Sequence, residues 1–182
     1  MKVIGISGLA RSGKDTLFKF LSDKLKENNI SSKRLAFADE LKEECDDFLK
    51  ANIGISAFTE KNSEKEIIRP FLVCYGTKIR RRLNENCWID RVSEKIEKES
   101  GTKYVFITDV RYENEINWVK SQGGKTIHIE RHGNVAPNQE ELDNDPILKK
   151  SSDYRVKWKN FKETDNLYIQ DKVNSIYNEL FQ

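Results

Sequence analysis

The segment Gly8-Leu-Ala-Arg-Ser-Gly13-Lys14-Asp15-Thr16 constrains this chain more than any other. It follows an apolar run, Lys2 to Ser7, and precedes a helical pattern with Leu17, Leu21 and Leu25 on one face. Asn28-Asn29 is a natural stop for that helix. A strand, a glycine loop and a helix in this order bring backbone N–H groups around an anion, and the helix N-terminus adds its positive end. Lys14 can then follow the outer phosphates of a nucleotide. Gly8, Ser12, Gly13, Lys14, Asp15 and Thr16 are the candidate contacts. Asp15 stands where a Ser or Thr commonly follows the lysine. Its carboxylate can bind Mg²⁺ directly or through water, with Thr16 supplying a hydroxyl. The bland alternative is a tight turn that the fold needs for itself.

The remaining pattern alternates. Strands are expected at Arg34–Ala38, Tyr104–Thr108, Thr126–Glu130 and Tyr154–Trp158. Helices are expected from Asp39 (apolar face Leu41, Cys45, Phe48, Leu49), over Ile67–Leu83, Trp88–Ile96 and Glu113–Ser121, and from Asp171 to Leu180. Strands alternating with helices predict an α/β fold, a three-layer α/β/α sandwich on a mostly parallel five-stranded sheet. Residues 1–182 read as one domain. Two polar stretches interrupt the pattern: 53–63, a loop or mobile arm, and 132–150, an exposed flap carrying Pro137 and Pro146.

Asp109 ends the most strand-like segment, as a Walker B acid does, and in an open α/β sheet ligands bind beyond the carboxyl ends of strands. The lesser alternative, compatible with the first, is that it caps the next helix. Arg69, Arg80, Arg81, Arg82, Arg111 and Arg131 are candidate phosphate clamps, because guanidinium matches phosphate oxygens two at a time. Arg80, Arg81 and Arg82 cannot all face one site, since helical neighbours point about 100° apart. Trp88 and Tyr75 can stack on a base or simply pack a core. His128 and His132 straddle a strand end, which argues against zinc.

Lys plus Arg number 32 against 30 Asp plus Glu, so the net charge of +2 predicts no nucleic-acid partner. No apolar run approaches the ~18 residues of a membrane span, and the N-terminal run reads as a strand rather than a signal peptide. Cys45, Cys74 and Cys87 are widely spaced and odd in number. They read as reduced, buried filler in a cytoplasmic protein.

GLARSGKDT, Arg69-Pro-Phe-Leu-Val-Cys-Tyr-Gly76-Thr77 with the following Trp88, ITDVRYENE and GGKTIHIERHG together resemble the deoxynucleoside monophosphate kinases of tailed bacteriophages. The resemblance runs in order over residues 1–133, and Asp15 after the lysine is part of it. It implies a P-loop nucleotide-kinase fold with a monophosphate-binding insertion at about 40–100 and a lid at about 132–150. It implies transfer of the γ-phosphate of ATP to a deoxynucleoside monophosphate, with Mg²⁺. ATP contacts are then expected from Gly8 and Ser12 to Thr16. Acceptor contacts are expected from Arg11, Asp39, Arg69, Gly76, Thr77, Trp88, Asp109, Arg111 and Glu115. Lys14, Arg11, Arg111 and Arg131 would act on the transferred group, and Asp15, Thr16 and Asp109 on the metal. A homodimer is one candidate assembly. Family members carry a Gly-containing turn after the last strand. Here the chain reads Tyr154-Arg-Val-Lys-Trp-Lys-Asn160-Phe, without that glycine.

A kinase for another small phosphorylated metabolite, or an ATP-driven switch, would use the same loop.

Overall fold

The computed structural model describes residues 1–159 and 166–181, so the segment from Asn160 that lacks the family's glycine lies outside the described residues. The chain divides into two compact units, Met1–Leu35 with Glu99–Gln182, and Ala36–Lys98.

The first unit is built on a five-stranded sheet in the order β2-β3-β1-β4-β5. The strands are β1 (Lys2–Ser7), β2 (Ser32–Leu35), β3 (Tyr104–Val110), β4 (Lys125–Arg131) and β5 (Tyr154–Trp158). Every pairing is parallel. Parallel strands are buried on both faces, which is why β1 and β3 read as nearly continuous apolar runs. On one face, α1 (Lys14–Glu27) and α8 (Asn166–Phe181) bury Leu17, Leu21, Leu25, Ile169 and Val173 against Ile4, Ile6, Phe106, Ile127 and Ile129. The other face is covered by α6 (Glu113–Ser121), whose Ile116 and Val119 are fully buried, and by α7 (Gln139–Ser151) through Leu148. This is the expected three-layer sandwich, and its sheet is parallel throughout.

β1 lies between β3 and β4, so the chain crosses from one half of the sheet to the other there. Ser7 is in register with Val110 on one side and with His128 on the other. Residues 8–13, 111–112 and 132 onward therefore leave the sheet at one edge, the crevice where open α/β sheets bind ligands.

The second unit is helical: α2 (Phe37–Ile53), α3 (Asn62–Val73), a π-helical stretch Cys74–Arg80, the turn α4 (Arg81–Leu83) and α5 (Cys87–Glu97). Cys45, Leu49, Ala57 and Ile68 form one apolar cluster in it. Phe71 stacks between Phe48 and Tyr75, at centroid separations of 5.5 and 5.9 Å.

Several expectations move. β2 is Ser32–Leu35 rather than Arg34–Ala38, because Ala36 is already the N-cap of α2 and Phe37 is buried as its first residue. An edge strand half exposed to water carries little apolar signal. α3 starts at Asn62, not Ile67, and passes through Pro70. The polar flap at 132–150 contains a helix, α7, with Pro146 inside it. Asn138 caps α7 by accepting from the Glu141 N–H, and acids in its first turn with lysines in its last suit the helix dipole. Only Leu148 of α7 is buried, so no 3.6-residue apolar period announced it. Cys74 is exposed, against the expectation of buried filler; Cys45 and Cys87 are buried. Among the described residues no helix is long and apolar enough to cross a membrane.

Candidate active site

The phosphate loop is held in a strained shape. Gly8 has φ 133°, and a Cβ there would lie 2.4 Å from the Ile129 carbonyl oxygen, so no side chain fits. Arg11 takes a left-handed φ of 62°, uncommon outside glycine. Ser12 N–H donates to Leu9 O at 3.1 Å and closes the turn, and the Ser12 side chain is buried. Gly13, φ 98°, caps α1 without a side-chain acceptor, which leaves the first-turn N–H groups for an anion.

Lys14 is folded onto this loop, with Nζ donating to Gly8 O at 2.7 Å and Leu9 O at 2.9 Å. Burial lowers its pKa and the Arg111 charge adds to that, while Glu141, Asp109 and Asp15 oppose it. These five charged groups therefore share one electrostatic neighbourhood.

Asp109 is the next-to-last residue of β3, half-buried, and is not the cap of α6; Tyr112 takes the cap position. β3 ends at Val110, so Arg111 stands just past the strand in a turn of its own. Glu115 shapes that turn. Its buried carboxylate accepts from the N–H groups of Arg111 at 2.6 Å and Tyr112 at 3.1 Å. In this structure Glu115 supports Arg111 from below. The Arg111 guanidinium is exposed and pairs with Glu141 at 2.9 Å. Arg131 donates to Arg11 O at 3.1 Å.

Asp15, Thr16 and Asp109, the residues expected to meet Mg²⁺, all carry oxygen donors. The Asp15 side chain is 78% exposed and pairs with Arg34 at 3.3 Å. Asp15 and Asp109 both act on Lys14. Hard oxygens beside a phosphate loop suit a Mg²⁺ that keeps most of its ligands as water and phosphate. Among the described residues no group of three or more His, Cys, Asp or Glu forms a metal cluster. His128 is fully buried; its Nδ1 meets Ser7 Oγ at 3.0 Å, and burial pushes its pKa down to about 4.

In the helical unit, the candidate acceptor residues behave differently. Trp88 is buried at 3% exposure and donates from Nε1 to Gly76 O at 3.4 Å. Gly76 is a close approach: a Cβ would lie 2.8 Å from Leu41 Cδ2. Thr77 Oγ1 donates to Val73 O, and Asp39 pairs with Lys42 at 3.7 Å. Arg69 and Arg82 are exposed. Arg80 and Arg91 both pair with Glu44, which also accepts from the Tyr75 hydroxyl, and Arg81 donates to Glu85 O. Thus Arg80, Arg81 and Arg82 do separate, as helical geometry requires. Glu44, Asn134 and Glu141 escaped the sequence reading, since nothing in their spacing distinguishes them from solvated charges and amides.

A five-stranded parallel sheet in this order with a phosphate loop after β1 defines a P-loop kinase fold. Residues 6–125 match the phosphomevalonate kinase family, and the chain belongs to that family. Solved structures of the same fold include shikimate kinase from Bacteroides thetaiotaomicron, at 13% identity and TM-score 0.53. Dephospho-CoA kinase from Campylobacter jejuni stands at 16% identity and TM-score 0.52. Each alignment covers 98% of this chain and 97% of the other. No curated protein matches the chain.

Proposed function

We propose that the protein transfers the γ-phosphate of ATP to a small acceptor that already carries a phosphate, and that this acceptor is a deoxynucleoside monophosphate. The observation that carries the transfer reading is Lys14 folded onto a glycine loop, its Nζ on Gly8 O and Leu9 O, with Arg111 tied to the same loop through Glu141. The acceptor identity rests on the resemblance of GLARSGKDT, Arg69…Gly76-Thr77…Trp88 and ITDVRYENE to phage deoxynucleoside monophosphate kinases.

In this reading the loop N–H groups from Ser12 to Thr16 cradle the donor phosphates, and Lys14 leaves Gly8 O and Leu9 O to follow the γ-phosphoryl group. Arg111, aimed by Glu115, grips the acceptor phosphate, and Arg11 and Arg131 border the same loop. The resemblance adds Asp39, Arg69, Gly76, Thr77 and Trp88, all within residues 36–98, as residues expected to serve the acceptor. An oxygen of the acceptor phosphate bonds to the γ-phosphorus as the bond to the ADP oxygen breaks. That oxygen is already ionised at neutral pH, so alignment and charge neutralisation do most of the work. Mg²⁺ held by Asp15, Thr16 and Asp109 would supply charge neutralisation on the donor phosphates.

A second reading has its own support: the family match favours phosphomevalonate, or another small phosphorylated metabolite, as acceptor. One measurement separates the two. ADP release is followed with deoxy- and ribonucleoside monophosphates and phosphomevalonate as acceptors. The first reading expects turnover with a deoxynucleoside monophosphate well above the rest. Turnover with phosphomevalonate alone selects the second, and slow ATP hydrolysis indifferent to every acceptor excludes both. Replacing Arg111 with Lys keeps the charge and loses the planar fork. It should lower kcat/KM for the true acceptor by about 2–4 kcal/mol in activation free energy while KM for ATP hardly moves.

A further inference from the structure

Three side chains at or beyond the end of β4 engage the phosphate loop. Arg131 Nη1 donates to Arg11 O, and Asn134 Nδ2 donates to Ala10 O at 2.8 Å. The third contact has the opposite sense: Glu141, in the first turn of α7, accepts the Ala10 N–H on Oε2 at 2.9 Å. Its other oxygen accepts from Arg111 Nη1 at 2.9 Å. The Glu141 side chain is only 12% exposed, so the carboxylate is seated in the crevice rather than resting on its rim. Gly8, Leu9, Val110, Asp145 and Leu148 line the same crevice. The neighbouring Glu140 accepts from the Tyr112 hydroxyl at 2.8 Å, which ties the start of α7 to the turn after β3 a second time.

A loop N–H, a guanidinium and a nearby ammonium are the donors that a phosphoryl oxygen would use. A carboxylate offers the same negative charge and the same acceptor geometry. We infer that Glu141 is an internal competitor: its carboxylate occupies a phosphoryl-oxygen position on the loop, and α7 is a strap that must let go before ATP is fully seated. The inference rests on the phosphate-loop reading above and adds the regulation of that site. A triphosphate oxygen cannot take the Ala10 N–H beside Lys14 while the carboxylate holds it without strong repulsion, and Arg111 stays engaged until the carboxylate leaves. Binding of triphosphate therefore includes the cost of releasing the strap, and removing the Glu141 charge should remove that cost.

The experiment is calorimetric titration of the full chain with two probes, the magnesium complex of a non-hydrolysable ATP analogue and inorganic tripolyphosphate. Wild type, Glu141→Gln and Lys14→Ala are compared. Glu141→Gln should bind both probes five- to thirty-fold more tightly than wild type, and Lys14→Ala should bind both far more weakly. Binding by Glu141→Gln that is equal to or weaker than wild type, with Lys14 still required, overturns the strap and leaves the phosphate loop standing. Binding that ignores Lys14, or none by either protein, overturns the phosphate loop itself. Hydrogen exchange on wild type alone guards against a variant that folds poorly. Saturation with the ATP analogue should speed exchange across residues 139–142; unchanged or slower exchange there overturns the release of α7.

Discussion

In the sheet unit, Lys14, Arg111 and Arg131 bring their charged ends to the rim of one loop, whereas in the helical unit Gly76 and Trp88 are spent on packing the unit itself. The difference follows from what each kind of motif asks of its surroundings. A phosphate loop works through backbone N–H groups, so its geometry exists as soon as the glycines and the flanking strand and helix are in place. An aromatic or a small residue on a helix has no such fixed direction. Its role depends on which neighbour arrives over it, and here Leu41 and the helices around it arrive first. Gly76 and Trp88 therefore read as acceptor contacts by resemblance and as packing residues by their environment.

The largest effect expected is at Lys14. Lys14→Ala should lower kcat by two to four orders of magnitude, about 3–5 kcal/mol in activation free energy, as measured by ADP release at saturating substrates. Lys14 is bonded to Gly8 O and Leu9 O, so a thermal melt of the variant checks that the loss is not one of folding. Activity within tenfold of wild type would remove the sheet unit's side of the comparison.

Next comes Trp88. If it is a packing residue, Trp88→Ala should cost about 3–5 kcal/mol of stability by denaturant unfolding, and Trp88→Phe much less. A variant that kept its stability and lost only acceptor affinity would show that Trp88 reaches the ligand, and the contrast between the two units would collapse.

The smallest effect concerns His128, which lies beneath the loop and takes no part in the proposed transfer. Its pKa is about 4 when folded and lies near 6.5 in the unfolded chain. Between these values the unfolded state binds more protons, so stability rises with pH. The contribution is fully present above pH 6.5 and is lost as pH falls through 4, roughly 3 kcal/mol in all. Urea unfolding of wild type and His128→Gln at pH 7 and pH 4.5 checks this. The variant should show a flatter dependence; equal slopes would mean that burial of the ring carries no cost of charging.

Much of the fold was legible because it depends on local pattern. Helix α6 and strand β5 fall where the pattern put them, at Glu113–Ser121 and Tyr154–Trp158. Where the pattern misled, a competing interaction was non-local. Ala36-Phe37-Ala38 looks like a strand, yet Phe37 buries as the first residue of a helix. The π-helical stretch at Cys74–Arg80 left no compositional trace, since it differs from an α-helix only in which carbonyl each N–H finds.

What the sequence by itself determined is the sandwich class and the phosphate loop, because apolar alternation and the spacing of Gly8, Gly13 and Lys14 encode backbone shape directly. Only the tertiary structure decided that Glu115 serves Arg111 from below, that Asp109 is not a cap, and that Glu141 reaches the Ala10 N–H from 131 residues away. A carboxylate looks the same in sequence whether it faces water or a guanidinium. Its partner is chosen by how the sheet edge and α7 come together.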